Sequence, residues 1–349
     1  MHLIREQLRP LLTSLRSAHA GLLVQRGLPV WEEGEKAAKA KLVDTVANIS
    51  CPEFYPLAFD RWFQLTQKEQ FASVAAKVDG RLFTGLALGG TLETGMMTHH
   101  TYGTPLLAGS SIKGATRSYA ESIGVDAEVI RVLFGAGDDD DSGAEAAGSL
   151  IWHDAWWVPR DTNTKPFVKD VVTVHEQSYY SEKTAVADGS ESPVPNLQIG
   201  IQGEFYFVVE GEAAWARYAA DLLNMMLKEQ GLGSKTATGY GYFVEETALD
   251  RYLERKSTDI ALKEVAQSGD SSAILRVNIE KLDEAGLVTS LSKDLNKFLK
   301  GLEIDREDTE ALKTLCSLVQ ELRGDWVAEW AGTSEKNKKR AAKFVQDHA

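Results

Sequence analysis

The amino-acid sequence predicts an α+β protein, and three observations lead to this fold class. Between residues 81 and 231, segments of strand and helix periodicity follow one another in the order strand, helix, strand, strand, strand, helix. A glycine-rich loop follows the second of these helices, and both ends of the chain show helical periodicity. This order is typical of a ferredoxin-like (RRM-like) sheet with insertions, which carries helical extensions at both ends.

Each element of the predicted sheet has its own signal. The first strand, 81–90, has alternating leucines, and the first helix, 110–124, starts with a pair of serines and ends at Gly124. Alternating aromatic and β-branched residues predict three further strands, over 149–159, 169–177 and 201–209. Apolar residues at helical spacing predict a second helix, over 212–231.

The same periodicities divide the chain into three predicted regions. Residues 1–75 form an N-terminal helical extension, 76–250 the ferredoxin-like domain and 251–349 a C-terminal helical region. The last region contains a stripe of apolar residues at helical spacing, which we interpret as a packing surface: Leu312, Leu315, Val319 and Leu322.

Composition excludes several classes of protein. The chain has 349 residues, is 43% hydrophobic and contains no apolar run long enough for a membrane span. No export signal is present at the N-terminus, and Cys51 and Cys316 are too few for a four-cysteine zinc site, so we expect a cytoplasmic protein with reduced thiols. The net charge of −13 argues against a free-standing nucleic-acid binder, but it is compatible with a subunit that has a local basic surface.

Charge is unevenly distributed along the chain. Residues 1–30 have four arginines and one glutamate, for a local charge of +3. Residues 137–148 have five carboxylates and no base, which indicates a solvated loop, and 336–343 have five bases and no acid. The simplest interpretation of the basic segment is a solvated helix end.

The glycine-rich loop, 231–243, is the first candidate site. Its glycines, its lysine and the polar residues between them suit a phosphate-bearing ligand, because glycine exposes backbone N–H groups and lysine adds charge. The spacing matches neither the P-loop nor the dinucleotide fingerprint, which disfavours a mononucleotide enzyme. A polymeric phosphate ligand and a plain helix-to-strand connection both remain open for these residues: Gly231, Gly233, Ser234, Lys235, Thr236, Gly239 and Gly241.

The start of the predicted helix at 110 is the second candidate site. Lys113 lies in the first turn, where the helix dipole disfavours a cation, and Arg117 lies one turn further on the same face. Two cations at this end are explained if an anion binds there, with Gly109, Ser110 and Ser111 as further donors. An ordinary surface helix remains the alternative.

Four separated motifs resemble those of CRISPR-associated proteins of the RAMP superfamily, and they occur in the same order. They are the "GTPLLAGSSIKGATR" segment at 103–117, the pair Asp154–Ala155 after a strand, the "HEQSYY" turn at 175–180 and the "GLGSKTATGYG" loop at 231–241. The layout is most similar to that of the sixth subunit of the type III-B Cmr effector complex.

This resemblance implies a function as well as a fold. In RAMP proteins the glycine-rich loop and the helix after the glycine-serine-serine segment face the guide RNA. A protein of this kind binds guide RNA and target RNA and caps the backbone filament near the 3′ part of the guide. Its protein partners are the repeated backbone subunit and the other end subunit, and neither a cofactor nor a membrane is implied.

The resemblance also bears on catalysis. The backbone subunit of such complexes cuts target RNA with an aspartate before the "GSSLKG" helix, whereas this chain has only Glu93 as a carboxylate between residues 89 and 113. We therefore expect a non-catalytic subunit, and we expect Asp154 to hold local backbone. The alternative is a metal-independent ribonuclease that processes CRISPR RNA with His99 and His100. Adjacent residues on a strand point to opposite faces, so these histidines could equally well stack on RNA.

Overall fold

The computed structural model divides the chain into two units, 1–250 and 251–349. The structure describes residues 3–7, 10, 15, 18–30, 36–88, 95–136, 146–160, 164–181, 183, 186–187, 189, 192–268, 271–302 and 304–348.

The main sheet of the first unit is antiparallel and has the strand order of a ferredoxin-like fold. Its path is β10-β1-β9-β6-β2, and the short strand β5 also pairs with β9. A separate two-stranded ribbon is formed by β7 and β8, and another by β3 and β4. The strands are β1 (Phe71–Asp79), β2 (Leu106–Leu107), β3 (Gly135–Ala136), β4 (Ala146–Ala147), β5 (Ile151–Trp152), β6 (Ala155–Trp157), β7 (Phe167–Val174), β8 (Val194–Ile201), β9 (Glu204–Glu210) and β10 (Tyr242–Val244).

Helices cover both faces of this sheet. The long helix α7 packs on β1, β9 and β10, and α4 packs on α7. The helices of the first unit are α1 (Ala20–Arg26), α2 (Ala37–Ala47), α3 (Tyr55–Leu65), α4 (Gly109–Ser122), α5 (Ala127–Phe134), α6 (Gln177–Tyr180) and α7 (Ala213–Glu229).

The side of the sheet opposite α7 is closed by α3 of the N-terminal extension. The rings of Phe59 and Phe63 lie 6.1 and 5.2 Å from that of Tyr206 on β9. Trp62 stacks on Trp156 of β6 at 6.0 Å. Because Phe59, Phe63 and Tyr206 are all buried, this part of the sheet is not exposed to solvent.

The second unit is helical and has its own hydrophobic core. The predicted stripe belongs to this core: Leu312, Leu315 and Val319 are buried, and Leu322 is partly buried. The boundary between the units falls within α8. The helices are α8 (Thr247–Ser268), α9 (Ser271–Glu280), α10 (Glu284–Ser292), α11 (Leu295–Gly301), α12 (Thr309–Gly332) and α13 (Lys336–His348).

The ferredoxin-like α+β fold with helical extensions is therefore confirmed, but the first strand was predicted in the wrong place. The strand is β1, and residue 76, where the ferredoxin-like domain was expected to begin, lies inside it. In the segment 81–88, Leu82 and Phe83 form only isolated bridges and 86–88 form a 3₁₀ turn. The alternation in β1 is hard to detect because two of its buried residues are small alanines, Ala72 and Ala76, and Ala72 packs against α7.

Three further findings refine the predicted elements. The strand predicted over 149–159 is broken between β5 and β6, and Tyr218 of α7 is exposed. Cys51 and Cys316 are both free and buried, and burial raises the pKa of each thiol to about 12. Among the described residues, no helix combines the length and the apolarity that a membrane span requires.

Candidate functional site

The glycine-rich loop connects α7 to β10. It is hydrogen-bonded to the segment 81–83, which follows β1 in the chain. The N–H of Ser234 donates to the carbonyl oxygen of Phe83 at 2.8 Å, and the N–H of Gly241 donates to that of Arg81 at 2.9 Å. The ring of Tyr240 lies 4.6 Å from that of Phe83. These contacts fix both arms of the loop, and a 3₁₀ turn over Thr236–Thr238 forms its tip.

Three of the loop glycines are required by close approach of the chain's own backbone. At Gly231, with φ of +75°, a Cβ atom would lie 2.9 Å from the carbonyl oxygen of Gly241. At Gly233, with φ of +98°, a Cβ atom would lie 2.4 Å from the carbonyl oxygen of Phe83. At Gly241, with φ of +76°, it would lie 2.0 Å from the carbonyl oxygen of Leu232. Gly239 also has a positive φ, but a Cβ there would meet nothing within 4 Å. Clearance for an external ligand can therefore explain Gly239, whereas Gly231, Gly233 and Gly241 are explained by internal packing.

Lys235 has an unusual backbone conformation for a residue with a side chain. Its φ is +65°, in the left-handed region, which costs a non-glycine residue about 1–3 kcal/mol. The carbonyl oxygen of Lys235 accepts hydrogen bonds from the N–H and the hydroxyl of Thr238, at 3.0 and 2.9 Å. The turn is thereby stabilised with an exposed lysine at its start.

The start of helix α4 lies next to the break between β5 and β6. Asp154, between β5 and β6, accepts a hydrogen bond from the N–H of Gly109 at 2.7 Å. Gly109 lies so close to the strand that a Cβ would approach the carbonyl oxygen of Trp152 to 2.1 Å. The expectation that Asp154 holds local backbone is confirmed by this contact, which satisfies one of the unpaired N–H groups at a helix start.

Helix α4 and the glycine-rich loop share a pocket of about 360 Å³. The structure thus brings together two motifs that are more than 100 positions apart in the sequence. None of the lining residues carries a charge, so the pocket offers hydroxyl and backbone groups. Five predicted site residues line it: Ser111, Gly231, Gly233, Ser234 and Thr236.

The two predicted cations of α4 lie on another side of the helix. With about 100° of rotation per residue, Arg117 is only about 40° from Lys113 but about 160° from Ala115, which lines the pocket. Arg117 pairs with Glu121 at 2.7 Å and donates to the carbonyl oxygen of Gly135 at 3.3 Å. Lys113 and Arg117 therefore do not line the pocket with the loop residues, and their contact with RNA stays a prediction. Ser110 is exposed on the helix surface and does not line the pocket.

The two candidate catalytic histidines are held apart from this pocket. The ring of His99 lies 4.5 Å from that of Tyr102 and 4.9 Å from that of Trp156. Burial lowers the pKa of His99 from 6.5. His100 is exposed, and its carbonyl oxygen accepts a hydrogen bond from Nε2 of His19 at 2.8 Å. Glu93, the other residue considered for catalysis, lies outside the described residues.

A charged cluster at the edge of the sheet was not predicted. Arg160 contacts Glu204 at 2.6 Å and Glu246 at 3.1 Å, and Lys77 contacts Glu246 at 3.0 Å. Burial, followed by a hydrogen bond to Glu246, raises the pKa of Glu204 to about 7. The available signal was a glutamate at the start of the apolar strand "EFYFVV". Within the described residues, no group of histidine, cysteine and acidic side chains is arranged to hold a metal ion.

The ferredoxin-like domain with this loop can now be compared with known families. Residues 76–244 match the family model of the RAMP superfamily. This domain is a RAMP domain. The match includes β1 from residue 76, α4, the segment with Asp154, α7 and the glycine-rich loop.

Solved structures similar to this chain include three examples, whereas a comparison with curated proteins gives no match. One is a chain of the type III-B Cmr-β complex bound to cognate target RNA, with 19% identity over 61% of this chain and 76% of that chain and a TM-score of 0.47. Another is Cmr6 from Pyrococcus furiosus, with 22% identity over 50% and 99% and a TM-score of 0.30. The third belongs to a CRISPR RNA-guided surveillance complex, with 14% identity over 56% and 84% and a TM-score of 0.35.

Proposed function

We propose that the chain is a non-catalytic guide-RNA-binding subunit of a type III-B (Cmr) CRISPR effector complex. The observation that carries this proposal is the shared pocket: Ser111 of α4 and residues 231–234 and 236 of the loop line one cavity within the RAMP domain. Hydroxyl and backbone N–H groups are common ligands of RNA phosphates, and they position a strand without reading its sequence.

The sheet face covered by α3 supports binding of the RNA at this pocket. In many ferredoxin-like RNA-binding domains the bases stack on aromatic residues of an open sheet face. Here Tyr206 and Trp156 occupy that face and are packed under Phe63 and Trp62 of α3. The RNA strand is therefore directed to the loop side, where Lys235 is exposed next to the pocket and pairs with none of the described residues.

The resemblance of the motifs supports the position within the complex. In this proposal the chain caps the backbone filament near the 3′ part of the guide and contacts the repeated backbone subunit and the other end subunit. Because the chain has a net charge of −13, its affinity for RNA comes from contacts shared with those partners. The isolated chain should bind single-stranded RNA weakly and with a strong salt dependence.

The packing of His99 argues against the processing-ribonuclease alternative. A general acid or base must reach the ribose 2′-hydroxyl within hydrogen-bond distance. The ring of His99 is instead packed between Tyr102 and Trp156, and its Nδ1 accepts a hydrogen bond from the N–H of Thr101 at 3.2 Å.

The experiment measures guide RNA that co-purifies with the assembled complex over a series of salt concentrations. Lys235→Ala should weaken retention for all guide sequences and lower the salt slope by about one unit, because one phosphate contact is lost. Lys68→Ala is the matched control, since Lys68 is exposed and does not line the pocket. If Lys235→Ala assembles and retains RNA like the wild type at every salt concentration, the RNA does not pass this loop.

A further inference from the structure

The basic segment at 336–343 is not a simple solvated helix end. It forms the first part of α13, and Ala341, Ala342 and Val345 of this helix are buried in the core of the C-terminal unit. Lys338 pairs with Glu284 at 2.8 Å. The remaining bases therefore have fixed positions on a packed helix, and two of them, Arg340 and Lys343, line a pocket.

This pocket has a volume of about 460 Å³ and is strongly cationic. Five basic side chains line it against the two carboxylates of Asp294 and Asp347, which leaves a local charge of +3 in a chain of net charge −13. None of the five forms an ion pair with another described residue. Unpaired positive charge in a concave site attracts an anion. The five are Lys293, Lys297, Arg306, Arg340 and Lys343.

A second observation at the same pocket also indicates a missing polar partner. Ser292 lines the pocket and is only 3% exposed, and its hydroxyl has no hydrogen-bond partner among the described residues. Buried hydroxyl groups are nearly always paired in folded proteins. An oxygen of a bound ligand would supply this partner.

The wall of the pocket also contains an aromatic pair. The rings of Phe344 and His348 lie 4.7 Å apart, and Nδ1 of His348 donates to the carbonyl oxygen of Phe344 at 2.9 Å. Aromatic rings next to cationic groups are the usual combination for binding a base together with its phosphate. The carboxylates of Asp294 and Asp347 provide acceptors for ribose hydroxyl groups.

From these observations we propose that the C-terminal unit binds a nucleoside phosphate, presented either as a free nucleotide or as the phosphorylated end of an RNA strand. The pocket volume lies in the range of about 300–1,000 Å³ that is typical of small-ligand sites. The site lies outside the residues matched by the RAMP family model, 76–244. It does not depend on the function proposed for the RAMP domain.

The test compares two double variants of the full-length chain by calorimetric titration with AMP at low salt. Arg340→Ala with Lys343→Ala should weaken AMP binding at least tenfold, because two phosphate contacts are lost. Lys336→Ala with Lys339→Ala removes the same charge from the same helix outside the pocket and should change the affinity less than twofold. Equal losses in both double variants, or no AMP binding by the wild type, would overturn the proposal.

Further variants and probes identify the ligand and its source. Ser292→Ala should weaken AMP binding about threefold, and an unchanged affinity would contradict the assignment of this hydroxyl to the ligand. Lys235→Ala should bind AMP like the wild type, which separates this site from that of the RAMP domain. Competition with AMP by RNA that has a terminal phosphate, but not by the same RNA without it, would identify the strand end as the source. Absence of competition by either RNA would identify the free nucleotide. Displacement of AMP by a polyglutamate peptide at equal or lower concentration would indicate a protein-docking surface and overturn the proposal.

Discussion

The carboxylate of Asp154 and the backbone N–H of Gly109 are joined by a hydrogen bond of 2.7 Å. The two residues are 45 positions apart, and the bond fixes the start of α4 at the break between β5 and β6. The wall of the pocket that contains Ser111 begins two residues later in the same helix. A residue that a motif search would place among catalytic candidates thus has a positioning role.

Replacing Asp154 should therefore affect stability first. Asp154→Ala should lower the free energy of unfolding of the RAMP domain by about 1 kcal/mol, as is typical for a lost N-terminal helix partner. Asp154→Asn is the matched control, because its amide oxygen can still accept the bond from Gly109, and it should lose less than half as much. Urea unfolding measures both values. Equal losses of unfolding free energy in the two variants would show that Asp154 does not stabilise the domain through its hydrogen bond to Gly109.

The loop glycines should differ in their tolerance to alanine. Gly233→Ala adds a Cβ 2.4 Å from the carbonyl oxygen of Phe83, so it combines backbone strain with a steric clash. Gly239→Ala has only the strain, about 1–2 kcal/mol, because the space around it is open. Thermal unfolding should therefore show a clearly larger loss of stability for Gly233→Ala. If Gly239→Ala were the more damaging change, the close approach at Phe83 would not be the constraint on this loop.

The buried carboxyl of Glu204 should make the stability of the RAMP domain depend on pH. Its pKa is raised from 4.5 to about 7, so between these values the folded state keeps a proton that the unfolded state has released. The free energy of unfolding should consequently fall as pH rises through this window, by on the order of 2 kcal/mol. Glu204→Gln should remove most of this dependence, since Gln has no proton to release and Arg160 keeps Glu246 as a partner at 3.1 Å.

The measurement for Glu204 is urea unfolding between pH 5 and pH 8. Glu245→Gln provides the control, because a hydrogen bond to Lys228 lowers the pKa of Glu245 below 4.5. This carboxyl is therefore ionised in both states over most of the measured range, and its replacement should leave the pH dependence unchanged. A wild-type stability that rises with pH from 5 to 7, with no change in Glu204→Gln, would contradict the assigned direction.

The histidine pair should be dispensable for RNA cleavage. His99→Ala combined with His100→Ala should leave target-RNA cleavage by the assembled complex within about threefold of wild type, because His99 is packed against Tyr102 and Trp156. Removal of a true general acid or base costs at least about a hundredfold. A loss of that size in a complex that still assembles would contradict the non-catalytic assignment.

The sequence was informative where a local pattern determines the structure. The helices at 110–124 and 212–231 were predicted to within about two residues at each end, because each has apolar residues at helical spacing and a clear stop. The strand β1 was missed because Ala72 and Ala76 give a weak hydrophobic signal. Ala72 packs against Ala216 and Ala220 of α7, which lie more than 100 positions away.

The candidate site was predictable in part for the same reason. The glycine-rich loop and the start of α4 were both recognised from their motifs, and the structure joins them in one pocket. The orientation of the Arg117 side chain was not predictable. It donates to the carbonyl oxygen of Gly135, which belongs to a strand that the periodicity does not reveal. The pairing of Glu204 with Arg160 similarly depends on contacts between distant parts of the chain.

The register of the central strands has a consequence for the order in which the chain folds. Phe71 of β1 pairs with Glu210 of β9, so these partners are 139 positions apart. At roughly 5–20 residues per second, the ribosome needs about 7–30 s to synthesise the intervening chain. During that time the nascent β1 has unpaired edges, and the aromatic side of α3 lacks Tyr206. Folding of the RAMP domain can therefore be completed only after β9 and then β10 have emerged, and this interval is when the newborn chain most needs protection by a chaperone.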